Sequence, residues 1–174
     1  EKGSVECIII VTPNDSHAEI ATAALNAGYH VVLDKPMTRT LDEATALADT
    51  AAATDRVFCM TYTYTGYPMI QQMRKRILAG EIGTVRTVSV DYRQGWLSQP
   101  IERDGQKQAS WRTDPRKSGA GALGDIGSHA EQLARFTTGL SIEKVRGDVH
   151  TLVEGRQVDD HACVQLKMQN GVVG

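Results

Sequence analysis

Three short apolar runs, separated by stretches of helical period, limit what this chain can fold into more than any other feature. The first run is Val5-Glu6-Cys7-Ile8-Ile9-Ile10-Val11. It is nearly continuous and rich in β-branched residues, as in a strand buried on both faces of a parallel sheet. Thr12-Pro13-Asn14-Asp15 breaks it, and a helix is expected next, with Ser16 as N-cap and Glu19 as its capping-box partner. Ala18, Ala21, Ala24 and Leu25 give that helix a small apolar face, and Gly28 ends it. His30-Val31-Val32-Leu33 is a second strand, closed by Asp34-Lys35-Pro36. Thr40 and Glu43 form a capping box for a second helix through Leu41, Ala44, Leu47, Ala48 and Ala51. Val57-Phe58-Cys59-Met60-Thr61-Tyr62 is a third strand. Strands and helices that alternate through short links need right-handed crossovers, so residues 1–63 read as a doubly wound parallel α/β layer.

The period changes after Tyr62. Pro68 opens a helix carrying Ile70, Met73, Ile77 and Leu78, ended by Gly80. Residues 84–92 alternate over their first half and read as a strand. Residues 94–120 are polar and rich in glycine, proline and charge; they read as a long functional loop without elements of its own. Residues 125–138 read as a helix stopped by Gly139. Residues 142–152 and 161–168 read as strands, and Gln169-Asn170-Gly171 is a hairpin signal. Residues 64–174 are therefore expected to form part of a second α/β domain with a mixed, mostly antiparallel sheet.

The formal net charge of -2 shows no basic excess, which argues against nucleic acid as a partner. The apolar runs are strand-sized, so no membrane span is expected. Cys7, Cys59 and Cys163 are odd in number, far apart and set in strand-like runs. They read as buried free thiols of a reducing compartment, the cytoplasm, rather than as disulfides or a metal site.

In such sheets ligands gather outside the carboxyl ends of the strands. Thr12-Pro13-Asn14 and Asp34-Lys35-Pro36 fall there, and Lys35 stands where an ammonium meets a ligand oxygen. On these residues alone, a solvated turn fits equally well. Gly119 to His129 forms a second cluster, Gly-Ala-Gly-Ala-Leu-Gly-Asp-Ile-Gly-Ser-His. On a helix, Asp125 and His129 lie four apart on one face, and a carboxylate one turn from an imidazole fixes its tautomer and stabilises its cation. On these residues alone, a capping Asp125 and a half-buried structural His129 fit better. Trp111-Arg112 could stack on and grip a polar ligand, though an isolated Trp-Arg pair is more often a packed, solvated loop element.

Taken in order, Thr12-Pro13-Asn14 with His17, Gly28-Tyr29-His30-Val31 leading into Asp34-Lys35-Pro36, Gly80-Glu81-Ile82-Gly83, Trp111-Arg112 and Gly124-Asp125-Ile126-Gly127-Ser128-His129 resemble the Gfo/Idh/MocA oxidoreductases, the family of glucose–fructose oxidoreductase and inositol dehydrogenase. The resemblance implies the second half of a Rossmann dinucleotide-binding domain followed by part of an α/β domain with an open, mostly antiparallel sheet. It implies NAD or NADP as cofactor, and Thr12, Pro13, Asn14, His17, Asp34, Lys35, Pro36, Trp111 and Arg112 beside it. Lys35, Asp125 and His129 are the implied catalytic residues, Lys35 donating to the reacting oxygen and His129 exchanging its proton. Pro36 matches a proline that is commonly cis. The implied reaction moves a hydride between the nicotinamide and a secondary hydroxyl or ketone of a sugar, anhydrosugar or cyclitol, in a homo-oligomer (a dimer or tetramer). The alternatives on this fold are NAD-dependent glycoside cleavage and a non-catalytic sugar- or nucleotide-sensing regulator. Two departures stand out. Asp34 replaces the family's glutamate, one methylene longer. No Gly-rich phosphate loop follows an opening strand, so that loop and the residue choosing NAD over NADP are expected before Glu1, and the rest of the second sheet after Gly174.

Overall fold

The computed structural model describes residues 5–174, so the first four residues of the expected N-terminal part lie outside it. In chain order the regular elements are β1 (Cys7–Ile10), α1 (His17–Asn26), β2 (His30–Asp34), α2 (Leu41–Ala52), β3 (Phe58–Thr61), α3 (Pro68–Leu78), α4 (Lys107–Arg112), α5 (Pro115–Ser118), α6 (Ser128–Thr138), β4 (Ile142–His150) and β5 (His161–Met168). They form two compact units. One runs to Thr61 and includes Ile101–Gly121; the other comprises Tyr62–Pro100 and Ala122–Gly174.

In the first unit, strand alternation decides what is buried. β1, β2 and β3 pair in parallel in that order. The register aligns Ile8, Val31 and Phe58 in one row, and Ile10, Leu33 and Met60 in the next. Both rows pack against Ala21, Ala24 and Leu25 of α1 and Leu47 and Ala51 of α2. Right-handed crossovers that step one way across a sheet put both helices on the same face. The alternate row holds Ile9, Val32 and Cys59. Ile9 is 68% exposed. Within residues 5–174, α1 and α2 cover one face of the sheet. Cys7, Cys59 and Cys163 are free but exposed, not buried, because the pleat turns the first two away from the helices and the third lies on a two-stranded ladder.

The two expected capping boxes part company. At α2, Glu43 N donates to Thr40 Oγ1 at 3.3 Å, and Thr40 N donates to Glu43 Oε2 at 3.0 Å. Thr40→Ala is expected to cost about 1 kcal/mol in chemical denaturation; no change would show that the cap contributes nothing. At α1 a 3₁₀ turn, Asn14–Ser16, precedes the helix. Ser16 Oγ turns back to Thr12 Oγ1 (2.7 Å) and Pro13 O (2.9 Å), so no box forms.

Residues 94–120 are not without elements. They hold a 3₁₀ turn, Ile101–Asp104, then α4 and α5. Gln106 caps α4 by accepting from Ala109 N at 2.6 Å, and Asp114 caps α5 by accepting from Arg116 N at 3.0 Å. Helices of six and four residues are too short to show an apolar period. Residues 101–121 pack within the first unit, where Asn14 Nδ2 donates to Ser118 O at 2.9 Å and Arg39 Nη1 to Arg116 O at 2.8 Å.

In the second unit, β4 and β5 form an antiparallel ladder. Asn170, in the left-handed region at φ 61°, turns the chain back, and Met168 N donates to Val172 O at 2.8 Å. The strand expected over 84–92 is reduced to one bridge, Thr87 with Val173. Alternation supplies a face, but a strand exists only where a partner takes its backbone groups. β4 ends at His150, short of the expected 152, because the Leu152 and Val153 N–H groups bond instead to the Asp160 carboxylate at 2.7 and 2.9 Å. Arg156, its side chain 1% exposed, donates to the same carboxylate at 3.3 Å and to Leu97 O at 2.7 Å. Among the described residues, no helix is long and apolar enough to cross a membrane.

Asp160 makes that turn acid-sensitive. Burial pushes its carboxyl up, but the two backbone N–H groups and the Arg156 guanidinium outweigh this and hold it below the usual carboxylate range. A depressed folded value means the stabilisation is complete above the unfolded value, about 3.9, and is lost as pH falls through the folded one. Asp160→Ala is expected to destabilise the unit by about 1–3 kcal/mol at pH 7, and the gap to the parent should shrink below about pH 4. Denaturation curves at pH 7 and pH 3 check this; a gap unchanged between them refutes it.

Candidate functional site

The first unit presents two loops at the carboxyl ends of adjacent parallel strands. After β1, Thr12 and Pro13 are exposed while Asn14 turns inward, 7% exposed, onto Ser118 O. After β2, Asp34, Lys35 and Pro36 are half-buried, and the Lys35–Pro36 bond is cis. Asp34 Oδ1 accepts from Thr61 Oγ1 at 2.6 Å and from Lys35 N at 2.9 Å. This ties the ends of β2 and β3 together and fixes the backbone that carries Lys35. His17, fully buried in the first turn of α1, lies between the loops: Nε2 is 2.8 Å from Thr12 O and Nδ1 2.9 Å from Pro36 O. Thr12, His17 and Pro36 are thus brought together.

Trp111 and Arg112 meet each other on α4. The guanidinium lies 4.2 Å from the centre of the indole ring. Both side chains bond to Gln108, Trp111 through its Nε1 at 3.1 Å. The stacked pair is a cation–π contact held by its own helix.

In the second unit, Asp125 lies in a π-helical turn, Leu123–Gly127, that runs into α6, where His129 is the second residue. Asp125 and His129 sit at this junction rather than on one regular α-helix, so the simple i, i+4 geometry expected for them is altered. Such one-turn widenings recur at functional sites. Asp159 holds the start of the turn: its carbonyl accepts from Ala122 N at 2.8 Å and its carboxylate from Leu123 N at 2.7 Å. The half-buried His129 ring is surrounded by tyrosines. Tyr64 lies 4.7 Å away between ring centres, Tyr62 6.0 Å and Tyr92 6.4 Å. The Tyr64 and Tyr92 hydroxyls bond to each other. That bond, followed by burial, pushes the Tyr64 phenol up to about 12, so it is a neutral donor and acceptor at physiological pH.

The three tyrosines escaped the sequence reading as site residues, and Asp159, with Asp160, reads from sequence only as a residue that keeps the end of a strand soluble. A signal for Tyr62 and Tyr64 exists, since Thr61-Tyr62-Thr63-Tyr64 directly follows a strand's carboxyl end; nothing local marks Tyr92. Gly119, Gly121 and Gly124 also have the G-x-G-x-x-G spacing of a phosphate loop. They follow α5, not a strand, and lead into the π-helical turn, so the context that gives the spacing its meaning is missing.

A family model described as "Oxidoreductase family, NAD-binding Rossmann fold" matches residues 1–62, and one for the GFO/IDH/MocA C-terminal domain matches residues 70–174. An uncharacterized oxidoreductase, YfiI, of Bacillus subtilis is 32% identical over 98% of this chain and 44% of its own length. Levoglucosan dehydrogenase of Pseudarthrobacter phenanthrenivorans is 31% identical over 98% of this chain and 48% of its own. The crystal structure of an inositol dehydrogenase homolog complexed with NAD+ from Azotobacter vinelandii superposes with a TM-score of 0.93 at 35% identity, covering 100% of this chain and 45% of that one. The chain spans about half the length of the curated relatives it matches.

Proposed function

The chain belongs to the Gfo/Idh/MocA oxidoreductases, and on that premise we propose that it forms part of an NAD(P)-dependent dehydrogenase acting on a secondary hydroxyl of a sugar, anhydrosugar or cyclitol. The observation that carries this reading is the position of Thr12-Pro13-Asn14 and Asp34-Lys35-Pro36 outside the carboxyl ends of β1 and β2, where open α/β sheets take dinucleotides. The residues fit that group. The Thr12 hydroxyl is on an exposed loop, and the Asp34 carboxylate and Lys35 ammonium are on a half-buried one beside it. Thr12, Pro13, Asn14, Asp34, Lys35 and Pro36 would hold the cofactor, which when bound supplies the hydride chemistry.

The chain's own residues supply position and charge. Lys35 donates to the substrate oxygen and stabilises the negative charge that grows there as its proton leaves. His129 takes that proton, the role an imidazole fills best near neutral pH. Asp125 positions and tunes the imidazole. The tyrosines around His129 offer rings and hydroxyls, which suit a substrate that presents C–H and O–H groups in alternation. Similarity to levoglucosan dehydrogenase and to an inositol dehydrogenase homolog supports a substrate of that kind. Association into a homo-oligomer through the β4–β5 sheet belongs to the same reading, because Val145 and Val149 stand 68% and 53% exposed there.

The test follows near-UV absorbance of the reduced nicotinamide in the complete protein, offering NAD or NADP with a panel of sugars, anhydrosugars and inositols. Turnover with one group is expected and names the substrate class and the cofactor. No turnover with any of them, in a protein that binds the cofactor, overturns the reading in favour of glycoside cleavage or regulation.

A further inference from the structure

His17 was expected among the residues lining the cofactor, yet it is 0% exposed and both ring nitrogens face the protein's own backbone. Thr12 O and Pro36 O lie on different loops, five and nineteen residues from His17 in the chain. Carbonyl oxygens only accept, so the neutral ring donates to one of the two loops and holds its other nitrogen against the second, while the protonated ring donates to both. A buried imidazole is costly unless its polar atoms are used, and an aliphatic side chain would fill the same space more cheaply. Loops at strand ends otherwise move independently of each other. Here the Thr12 loop is held from below by the His17 ring and from the side by Asn14 on Ser118, and the Pro36 loop is held by the same ring.

We propose that His17 is a positioning residue: it clamps the Thr12–Asn14 loop to the Lys35–Pro36 loop and so sets the spacing of the groups that receive the nicotinamide end of the cofactor, without touching the cofactor itself. The inference rests on the reading of these loops as a nicotinamide site. It makes a demand that general packing does not: loss of the clamp weakens ligands that reach both loops and spares those that carry no nicotinamide.

The experiment uses the complete protein with His17→Leu, which removes both ring contacts, and His17→Gln, which keeps an amide donor. NADH affinity is read by fluorescence titration, AMP affinity by calorimetry, and folding by thermal melting. Expected for His17→Leu is a loss of NADH affinity of roughly ten-fold or more with AMP affinity unchanged, and for His17→Gln a smaller loss. If His17→Leu does not fold, His17→Gln alone decides by the same two ligands. Unchanged NADH affinity, or NADH and AMP weakened together, overturns the clamp. Failure of the parent protein to bind NADH overturns the nicotinamide site itself, and the clamp with it.

Discussion

In the complete protein, His129→Ala is expected to lower the rate of hydride transfer by about 10²–10⁴-fold, the range removed with a positioned general base. NADH binding should persist. Lys35→Ala should cost about 10²–10³-fold, the loss seen when one donor to a developing oxyanion is deleted. The two replacements fail for different reasons. His129 sits at a helix junction among Tyr62, Tyr64 and Tyr92, so its removal takes away the proposed proton acceptor and opens space within an aromatic cluster. Lys35 projects from a backbone fixed by Asp34, so its removal takes away a charge while Asp34 keeps its bond to Thr61. If the roles are as assigned, each variant loses kcat with little change in the KM for cofactor, the pattern of an interaction made only in the transition state. His129→Ala should also be rescued in part by added imidazole, and Lys35→Ala by a small primary amine. Turnover unchanged in both variants would sink the assigned mechanism.

The sequence carried these two candidates further than it carried their surroundings. Parallel α/β order was legible because Ile8, Ile10, Val31 and Leu33 stand in strand-length runs and Ala21, Ala24, Leu25 and Leu47 recur at helical spacing. Those patterns report burial, and burial is most of what stabilises the layer. Which face of each strand is covered was not legible. A continuous apolar run reads the same whether Ile9 meets a helix or, as here, stands 68% exposed. The cap at Thr40 was legible because both partners lie within four residues, whereas Ser16 had a nearer alternative in Thr12 and took it. Lys35 and His129 entered as candidates through ordered local motifs. The environment of His129 was not, since Tyr62, Tyr64 and Tyr92 reach it across 37 to 67 positions of sequence and no local period encodes that. The same holds for Asp159, whose partners Ala122 and Leu123 lie far back along the chain.

Gly119→Ala is expected to be among the most damaging single-methyl changes in the first unit, destabilising it by about 3 kcal/mol or more. Two costs combine. Gly119 has φ +78°, and a Cβ in the left-handed region costs roughly 1–2 kcal/mol. That Cβ would also lie 2.6 Å from Arg39 O and 3.1 Å from Arg39 Cα, which are backbone atoms and cannot swing aside. Either Arg39 moves, dragging the start of α2 and its Thr40 cap, or residues 101–121 lift off. Lifting off breaks Asn14 Nδ2 to Ser118 O and Arg39 Nη1 to Arg116 O, and leaves the Asn14 amide, now 7% exposed, without that acceptor. A buried donor left unmade costs about 1–3 kcal/mol by itself. Gly105 provides the control. Its φ is +76°, in the same region, yet nothing lies within 4 Å of a Cβ built there. Gly105→Ala should therefore cost only the backbone term, partly offset by the smaller entropy of the unfolded chain, about 1 kcal/mol net. Chemical denaturation of both variants separates the terms. Equal losses would mean that Arg39 does not press on Gly119. A larger loss at Gly119, with weaker NADH binding, would mean that residues 101–121 brace the Asn14 loop.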